Sequence, residues 1–269
     1  MKIAITGGRG FIGAATVRAA EQAGHDAFAF DRPDDILGAL DGLAGASHVI
    51  HLAGMLGTSE LFDTAEEAVE TNVIGTLRIL QWCEANGAGF TGISMPPVFP
   101  SVYTATKICA DRLATAWHLA KGIPVSHVRA FNAYGPGQKH GPGHPQKILP
   151  TFATEAWHNR PIPIWGDGNQ TVDLIHADDI ARILVEATAH GEDAVFDAGT
   201  GIALTVNELA DFVLVLTGST AGIKRLPMRA GETPTHIVAA GDGWDRLGWR
   251  PHLDMDRLAE AVRWYKPQS

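Results

Sequence analysis

The stretch that decides the fold lies near the start of the chain and reads Thr6-Gly7-Gly8-Arg9-Gly10-Phe11-Ile12-Gly13. It directly follows the apolar run at 3–5 and leads into an alanine-rich segment with helical periodicity. Glycines at these spacings permit a tight turn, a close approach of the backbone to phosphate groups and close packing of the helix on the strand. The start of a helix also offers free N–H groups and the positive end of its dipole. The pattern therefore predicts a strand, a phosphate-binding loop and a helix.

An acidic residue follows at the distance expected for a dinucleotide site. Asp31 comes directly after the second predicted strand, about 20 residues beyond the glycines. A carboxylate there accepts hydrogen bonds from the ribose hydroxyls and opposes a 2′-phosphate, which favours NAD over NADP. The adjacent Arg32 is the residue that would serve such a phosphate. The predicted cofactor contacts in this part of the chain are Gly7, Gly10, Phe11, Ile12, Gly13, Asp31 and Arg32.

Apolar runs and segments with helical periodicity alternate through the first half of the chain. Short strands rich in Val and Ile that alternate with helices are typical of a parallel sheet covered on both faces. We therefore predict an α/β fold with a doubly wound Rossmann sheet. The predicted strands are 2–6, 26–30, 48–53, 90–94 and 125–131, and the predicted helices between them are 11–23, 66–85 and 103–121.

The second half has a different composition. Residues 134–150 are rich in Gly, Pro, His and Lys and predict a long loop of the kind that often carries function. Thr205 with Glu208 predicts a capping box at the start of a helix. The other predicted elements are helices at 151–158, 178–190, 207–216 and 254–264 and strands at 162–165 and 195–197. We predict an NAD-binding domain over 1–132 plus 167–198, a small C-terminal α/β substrate lobe from 133–166 and 199–255, and a terminal helix over 256–269.

Composition argues against several classes of protein. Lys and Arg total 21 against 30 Asp and Glu, for a net charge of −9, so the chain lacks the basic face that nucleic acids and anionic membranes require. No apolar run approaches the roughly 18 residues of a membrane-spanning helix. Cys83 and Cys109 are expected to be free thiols of a cytoplasmic protein. No histidine pair has the spacing of metal ligands, and we predict no metal site.

Tyr103 and Lys107 form a second chemical motif, in Tyr103-Thr104-Ala105-Thr106-Lys107. In a helix this spacing places a phenol and an ammonium one turn apart on the same face. The ammonium favours the phenolate and is expected to lower the pKa of the tyrosine, which makes it a usable general base. A chance pair of surface residues is the competing interpretation, and the glycine loop upstream argues against it.

Together these motifs resemble the extended short-chain dehydrogenase/reductases, and in particular the NAD-dependent nucleotide-sugar epimerases and dehydratases. The resemblance runs almost from end to end. It is carried further by His51-Leu52-Ala53-Gly54, Glu70-Thr71-Asn72-Val73-Ile74-Gly75-Thr76, Arg129-Ala130-Phe131-Asn132-Ala133-Tyr134-Gly135-Pro136, the segment 166–176 and Arg229-Ala230-Gly231-Glu232.

This resemblance implies a role for each matching residue. Tyr103 would take a proton from a sugar hydroxyl, Lys107 would orient the nicotinamide ribose, and Ser94 would hydrogen-bond the reacting oxygen. The remaining NAD contacts would be Leu52, Ala53, Gly54 and Asn72, and the substrate contacts Asn132 and Arg229. The family also implies a homodimer formed through the helix after Asn72 and the helix of Tyr103.

The catalytic loop is shorter than the family's usual one. Only residues 95–102 separate Ser94 from Tyr103, and three prolines stiffen them. Ser101 matches a family position but is expected to cap the helix of Tyr103. A 4,6-dehydratase carries acidic residues just after the strand, whereas here Met95 follows with two prolines, which argues against the elimination of water.

Val172 is the other departure, because sugar-nucleotide epimerases commonly have an arginine there that binds the diphosphate. Arg225, Lys139 or Lys147 are the cations that the sequence offers in its place. We expect an NAD-dependent epimerase that oxidises a nucleotide sugar transiently, most simply at C4. The alternatives are an NAD(H)-dependent sugar dehydrogenase or ketoreductase, and a catalytically weakened NAD-binding regulatory protein.

Overall fold

A six-stranded parallel sheet forms the centre of the molecule. The structure is a computed structural model and describes residues 1–31, 36–96, 98–141, 144–229 and 231–267. Its strands are β1 (Lys2–Thr6), β2 (Asp26–Phe30), β3 (His48–His51), β4 (Gly89–Ser94), β5 (Val125–Ala130), β6 (Asn132–Tyr134), β7 (Ile162–Trp165), β8 (Thr171–Val172), β9 (Leu174–His176), β10 (Glu192–Ala198), β11 (Leu204–Thr205) and β12 (Ile223–Leu226).

Helices cover both faces of this sheet. They are α1 (Phe11–Gln22), α2 (Ala65–Val69), α3 (Gly75–Asn86), α4 (Val102–Lys121), α5 (Ile148–Trp157), α6 (Ala177–Ala187), α7 (Val206–Thr217), α8 (Trp244–Leu247) and α9 (Met255–Trp264). The strand order is β10-β5-β4-β3-β1-β2. All neighbouring pairs are parallel, which confirms the predicted doubly wound Rossmann sheet.

The alternation of side chains along each strand divides the core into two layers. Ile3 and Ile5 of β1 pack with Ile180 of α6 on one face, whereas Ala4 packs with Ile79 of α3 on the other. Because the strands are parallel, their carboxyl ends all lie at one edge, where ligands of such sheets bind. The loops after β1, β3, β4 and β5 meet at that edge.

A second lobe is built from chain that leaves the sheet after β5 and again after β10. Its small sheets pair β6 with β9, β7 with β12 and β8 with β11. Helices α5, α7 and α9 pack around a separate core that includes Phe152, Leu209 and Leu258. The capping box predicted at Thr205 and Glu208 is present at the start of α7.

The long helix predicted over 66–85 differs most from the observed structure. It consists of α2, a π-helical turn over Glu70–Ile74 and then α3. Helix α5 begins at Ile148, inside the predicted loop, because Pro150 lies in the first turn, where a proline costs no hydrogen bond. Strand β3 ends at His51, two residues before its predicted end.

Candidate active site

The glycine loop forms a tight turn between β1 and α1. Gly7 has a φ of +67°, and its carbonyl oxygen accepts a hydrogen bond of 2.9 Å from the Gly10 amide. A Cβ at Gly7 would lie 2.9 Å from the Ala53 nitrogen, and one at Gly13 would collide with the Gly7 carbonyl. The loop is therefore too closely packed for side chains at these positions.

The first turn of α1 is open to an anion. Gly10 is the N-cap residue and supplies no side-chain cap, and the first turn contains no acidic residue. The amides of Phe11, Ile12 and Gly13 thus keep the free N–H groups of a helix start. Asp31 lies beside this loop, since its Oδ2 accepts a hydrogen bond of 3.0 Å from the Arg9 amide. These features fit the diphosphate and ribose of NAD, and the predicted contact Arg32 lies outside the described residues.

The segment after β3 closes the other side of the loop. The Oγ1 of Thr6 accepts hydrogen bonds of 3.1 Å from both the Leu52 and the Ala53 amides. Gly54 sits against Asn72, whose Oδ1 would lie 2.9 Å from a Cβ at that glycine. The predicted residues Leu52, Ala53 and Gly54 are therefore brought next to the phosphate loop.

His51 links this segment to α3. Its Nδ1 lies 2.7 Å from the Thr6 Oγ1 and its Nε2 lies 3.1 Å from the Thr76 Oγ1. Because the Thr6 oxygen already accepts two amide hydrogens, its own proton is donated to Nδ1, which assigns the neutral Nε2–H tautomer. Burial, assisted by the charge of Lys107, lowers the pKa of His51 to about 3.

Asn72 uses its amide inside the protein. Its Oδ1 accepts a hydrogen bond of 2.8 Å from the Met55 amide, and its Nδ2 donates to the Met55 carbonyl at 3.1 Å and to the Thr106 Oγ1 at 3.0 Å. Thr106 in turn donates to the carbonyl of Tyr103. Asn72 therefore holds the segment after β3 against α4.

Helix α4 presents Tyr103 and Lys107 side by side. Ser101 is its N-cap, with the Oγ accepting a hydrogen bond of 3.1 Å from the Thr104 amide, so the expected capping role of this serine is confirmed. Lys107 is 8% exposed, and burial lowers its pKa to about 8, although the charge of Asp111 acts in the opposite direction.

The pKa of Tyr103 does not follow the expectation from its neighbour. Burial raises it to about 12, because removing a phenol from water disfavours the phenolate. The predicted lowering by Lys107 is not seen in this structure.

Ser94 ends β4 on the side of the sheet that α4 covers. It lies two residues from Gly92 and four from Phe90, and Phe90 packs in the layer formed with α3 and α4. The intervening Ile93 packs in the opposite layer. The period of two along a strand therefore directs Ser94 toward the layer of the Tyr103 helix.

The two predicted substrate residues already have partners within the chain. Asn132 is exposed, and its Oδ1 accepts a hydrogen bond of 3.2 Å from the Asp173 amide. Arg229 pairs with Glu232 through Nε at 2.9 Å and through Nη2 at 2.6 Å. Val172 is buried in the core of the second lobe, which is a hydrophobic role that an arginine could not take.

Several polar residues that the sequence analysis missed surround Arg229. Thr58 donates a hydrogen bond of 2.7 Å to the Glu232 Oε1, and Glu60 accepts one of 3.2 Å from the Gln146 amide. Burial lowers the pKa of Lys147, with the charges of Glu60 and Arg229 acting in opposite directions. These contacts join residues far apart in sequence, and no local pattern indicates them.

Comparison with known proteins identifies the family. The model of the NAD dependent epimerase/dehydratase family matches residues 3–199. This chain belongs to the NAD-dependent epimerase/dehydratase family. It is thus an enzyme of the extended short-chain dehydrogenase/reductase type, and NAD is its cofactor.

Its relatives include both dehydratases and epimerases. dTDP-glucose 4,6-dehydratase of Streptomyces griseus is 30% identical over 264 residues, covering 90% of this chain and 79% of that protein. dTDP-L-rhamnose 4-epimerase of Burkholderia thailandensis is 26% identical, covering 80% and 74%. The structure of DesIV, a dTDP-glucose 4,6-dehydratase from Streptomyces venezuelae with NAD bound, has a TM-score of 0.87 at 26% identity and covers 99% and 97%.

The described ranges contain neither a membrane-spanning helix nor a cluster of metal ligands. None of the helices there combines the length and the apolar character needed to cross a bilayer. Within the same ranges, no group of three or more His, Cys, Asp or Glu side chains is arranged to hold a metal ion.

Proposed function

We propose that this protein is an NAD-dependent epimerase that inverts a hydroxyl-bearing carbon of a nucleotide sugar, at C4, through a transient ketone. The observation that carries the proposal is the position of Tyr103 and Lys107 on α4, beside the segment that closes the NAD loop. Ser94 is directed toward the same layer from β4. These are the groups that a hydroxyl-to-ketone oxidation requires.

The chain's own residues move the proton in this reaction. When bound, NAD supplies the acceptor and then the donor of a hydride at the sugar carbon. Tyr103 Oη takes the hydroxyl proton as the C–O bond becomes a carbonyl, and returns it when the carbon regains its hydrogen on the opposite face. Ser94 holds the reacting oxygen. Because burial raises the pKa of Tyr103 to about 12, the nearby ammonium of Lys107 is needed to favour the phenolate.

The residues after Ser94 support epimerisation over dehydration. Elimination of water from the keto-sugar needs an acid and a base next to the neighbouring carbons. Met95 and Pro96 occupy the first positions after β4 and supply neither group. The dehydratase relatives therefore share the oxidation step with this chain, and we propose that the elimination step is absent.

Two cations are available for the substrate diphosphate. The pair with Glu232 uses Nε and Nη2 of Arg229, and a guanidinium has further donors on Nη1. Lys147, at the N-cap of α5, is close enough for the charge of Arg229 to lower its pKa. We propose that Lys147 takes the place of the arginine replaced by Val172.

Exposed apolar side chains support a homodimer. Val69 and Ile74 flank the π-helical turn and are 44% and 43% exposed, and Ile108 on α4 is 47% exposed. The π-helical turn contacts α4, so these side chains belong to neighbouring surfaces. We propose that a second copy of the chain covers them.

Turnover of a sugar panel tests the function. The purified enzyme should convert UDP-glucose, UDP-glucuronate or dTDP-glucose into a 4-epimer with no net gain in NADH absorbance. Tyr103→Phe removes the base and should lower kcat by about 10²–10⁴-fold. Tyr134→Phe is the matched control, since it deletes a phenol of the second lobe whose hydrogen bond to the Asp254 carbonyl is long, at 3.4 Å.

Three results would overturn the proposal. Net NADH formation would indicate a dehydrogenase, and a 4-keto-6-deoxy product would indicate a dehydratase. If enzyme that carries NAD turned over none of these sugars, the result would favour the alternative of a catalytically weakened NAD-binding protein.

A further inference from the structure

Four side chains form a row along one side of α4. Tyr103, Lys107, Asp111 and Thr115 are spaced four residues apart, so successive members lie one turn apart. Lys107 is buried, and Asp111 and Thr115 both reach His127 on the neighbouring strand β5. The row therefore faces the sheet, and it places the Asp111 carboxylate one helical turn from the ammonium of the proposed active site.

His127 holds this carboxylate in place, and Asp193 contacts the other ring nitrogen of the same histidine. The Nδ1 of His127 lies 2.5 Å from the Asp111 Oδ1, and its Nε2 lies 2.8 Å from the Asp193 Oδ1. Thr115 donates a further hydrogen bond of 3.0 Å to Asp193. Although burial opposes its charge, the hydrogen bonds to the two carboxylates raise the pKa of His127.

The backbone at Asp193, which contacts His127, has an unusual conformation. Asp193 has a φ of +56° and lies at the register shift between β10 and β5. A non-glycine residue in the left-handed region is uncommon and is held there by its surroundings. The irregularity turns the Asp193 carboxylate toward His127, so three elements converge on His127.

The other charged groups near Lys107 do not compete with Asp111. His51 faces it from β3 and is neutral, because burial lowers its pKa to about 3. Strand β4 has no titratable side chain. Helix α3 carries two charged residues that are engaged elsewhere: Arg78 with the carbonyls of Leu37 and Gly38, and Glu84 with Lys121 and Trp117. Glu60, Glu66, Glu67 and Glu70, on the turns that pack against α4, are exposed to solvent. Asp111 is thus the acidic group that acts on Lys107 within the described part of the chain.

We propose that Asp111 is a positioning residue, whose carboxylate, held by His127, keeps the buried Lys107 ammonium charged and directed toward Tyr103. An opposite charge one helical turn away stabilises the ammonium, and the imidazolium keeps the carboxylate from turning away. The inference rests on the proposed function in one respect, which is that Lys107 belongs to the active site. It gives a purpose to an Asp–His–Asp cluster around the buried His127, which within the described ranges touches neither the NAD loop nor the substrate residues.

NMR titration of Lys107 tests this directly. In protein labelled with ¹³Cε-lysine, the resonance of Lys107 is assigned by its loss in Lys107→Met. We expect Asp111→Asn to lower its titration midpoint by about one pH unit, and Asp111→Glu to restore it. The alkaline limb of kcat should move to lower pH by the same amount.

Asp193→Asn is the matched control. It removes one carboxylate from His127, tolerates the left-handed backbone, and leaves Asp111 next to Lys107. The Lys107 midpoint should stay at its wild-type value in this variant. An equal shift in both variants, or no shift in Asp111→Asn, would show that the cluster only packs α4 on β5.

The wild-type protein provides a measurement that needs no variant. With ¹³Cγ-aspartate labelling, the chemical shift of the Asp111 carboxylate should change at the pH where Lys107 titrates. An Asp111 chemical shift that does not change at that pH would refute the inference. These titrations require no sugar substrate. Failure of the sugar panel therefore counts against the proposed function alone, and failure of the titrations against Asp111 alone.

Discussion

The side chain of His48 lies in the first position of β3, with its Nε2 2.8 Å from the Thr91 Oγ1. Burial lowers the pKa of this histidine to about 4. The same strand ends at His51, whose pKa is lowered further. Both imidazoles are therefore neutral at pH 7, whereas His127, with an aspartate on each ring nitrogen, is favoured as a cation. Histidines of one sheet thus differ in charge because their partners differ.

The stability of the fold should depend on the protonation of His48. The unfolded chain binds a proton near pH 6.5 and the folded chain only near pH 4, so the free energy of unfolding falls as the pH drops through this window. The loss is at most about 3 kcal/mol from this group. Urea unfolding at pH 7 and pH 5 should show a smaller loss for His48→Gln than for the wild type.

His144→Gln is the control for this measurement, since His144 is exposed in the loop before α5. It should show the wild-type loss between the two pH values. An identical loss in His48→Gln would show that other groups carry the acid sensitivity.

Among the elements, the π-helical turn between α2 and α3 has the clearest effect on the site. The wide turn over Glu70–Ile74 holds Asn72, which is 2% exposed and reaches both Met55 and Thr106. π-Turns inside α-helices are frequent at functional sites. Here the turn lets one side chain join the segment after β3 to the helix of Tyr103.

Removing that side chain should loosen both segments. Asn72→Ala leaves the Met55 amide and carbonyl without partners, which costs about 1–3 kcal/mol for a buried group. We expect lower thermal stability and faster amide exchange at Met55 and in the first turn of α4. Asn86→Ala, at the exposed end of α3, removes a hydrogen bond to Trp82 and should leave both regions unchanged. Equal exchange in the two variants would contradict this role.

The elements that the sequence predicts well are those fixed by local chemistry. Periodicity predicts the parallel strands and the helices α1 and α4, and glycine spacing predicts the phosphate loop. Neither periodicity nor glycine spacing predicts the π-turn, because it widens a single turn within a continuous apolar pattern. The hydrogen bond from Thr58 to Glu232, the partner of Arg229, also escapes prediction, since it joins residues 174 positions apart. Burial of Tyr103, for the same reason, raises a pKa that its sequence neighbour was expected to lower.

At the scale of the whole molecule, the proposed dimer makes a direct prediction. Ile108→Lys places a charge in the exposed face of α4 and should convert a dimer into a monomer, as measured by light scattering after gel filtration. Val215→Lys is the matched control, because Val215 is 84% exposed on α7, in the other lobe. A monomeric wild type, or a dimer that survives Ile108→Lys, would contradict the interface.

The strand order also constrains how the chain reaches its folded state. Strand β10 pairs with β5 at the edge of the sheet, although residues 131–191 lie between them. The other sheet pairings, β1 with β2, β1 with β3, β3 with β4 and β4 with β5, all form within the first half. Closing so long a loop lowers the chain entropy before the contacts between β5 and β10 can stabilise it. The newly synthesised chain therefore exposes one unpaired sheet edge until the later residues emerge and complete it.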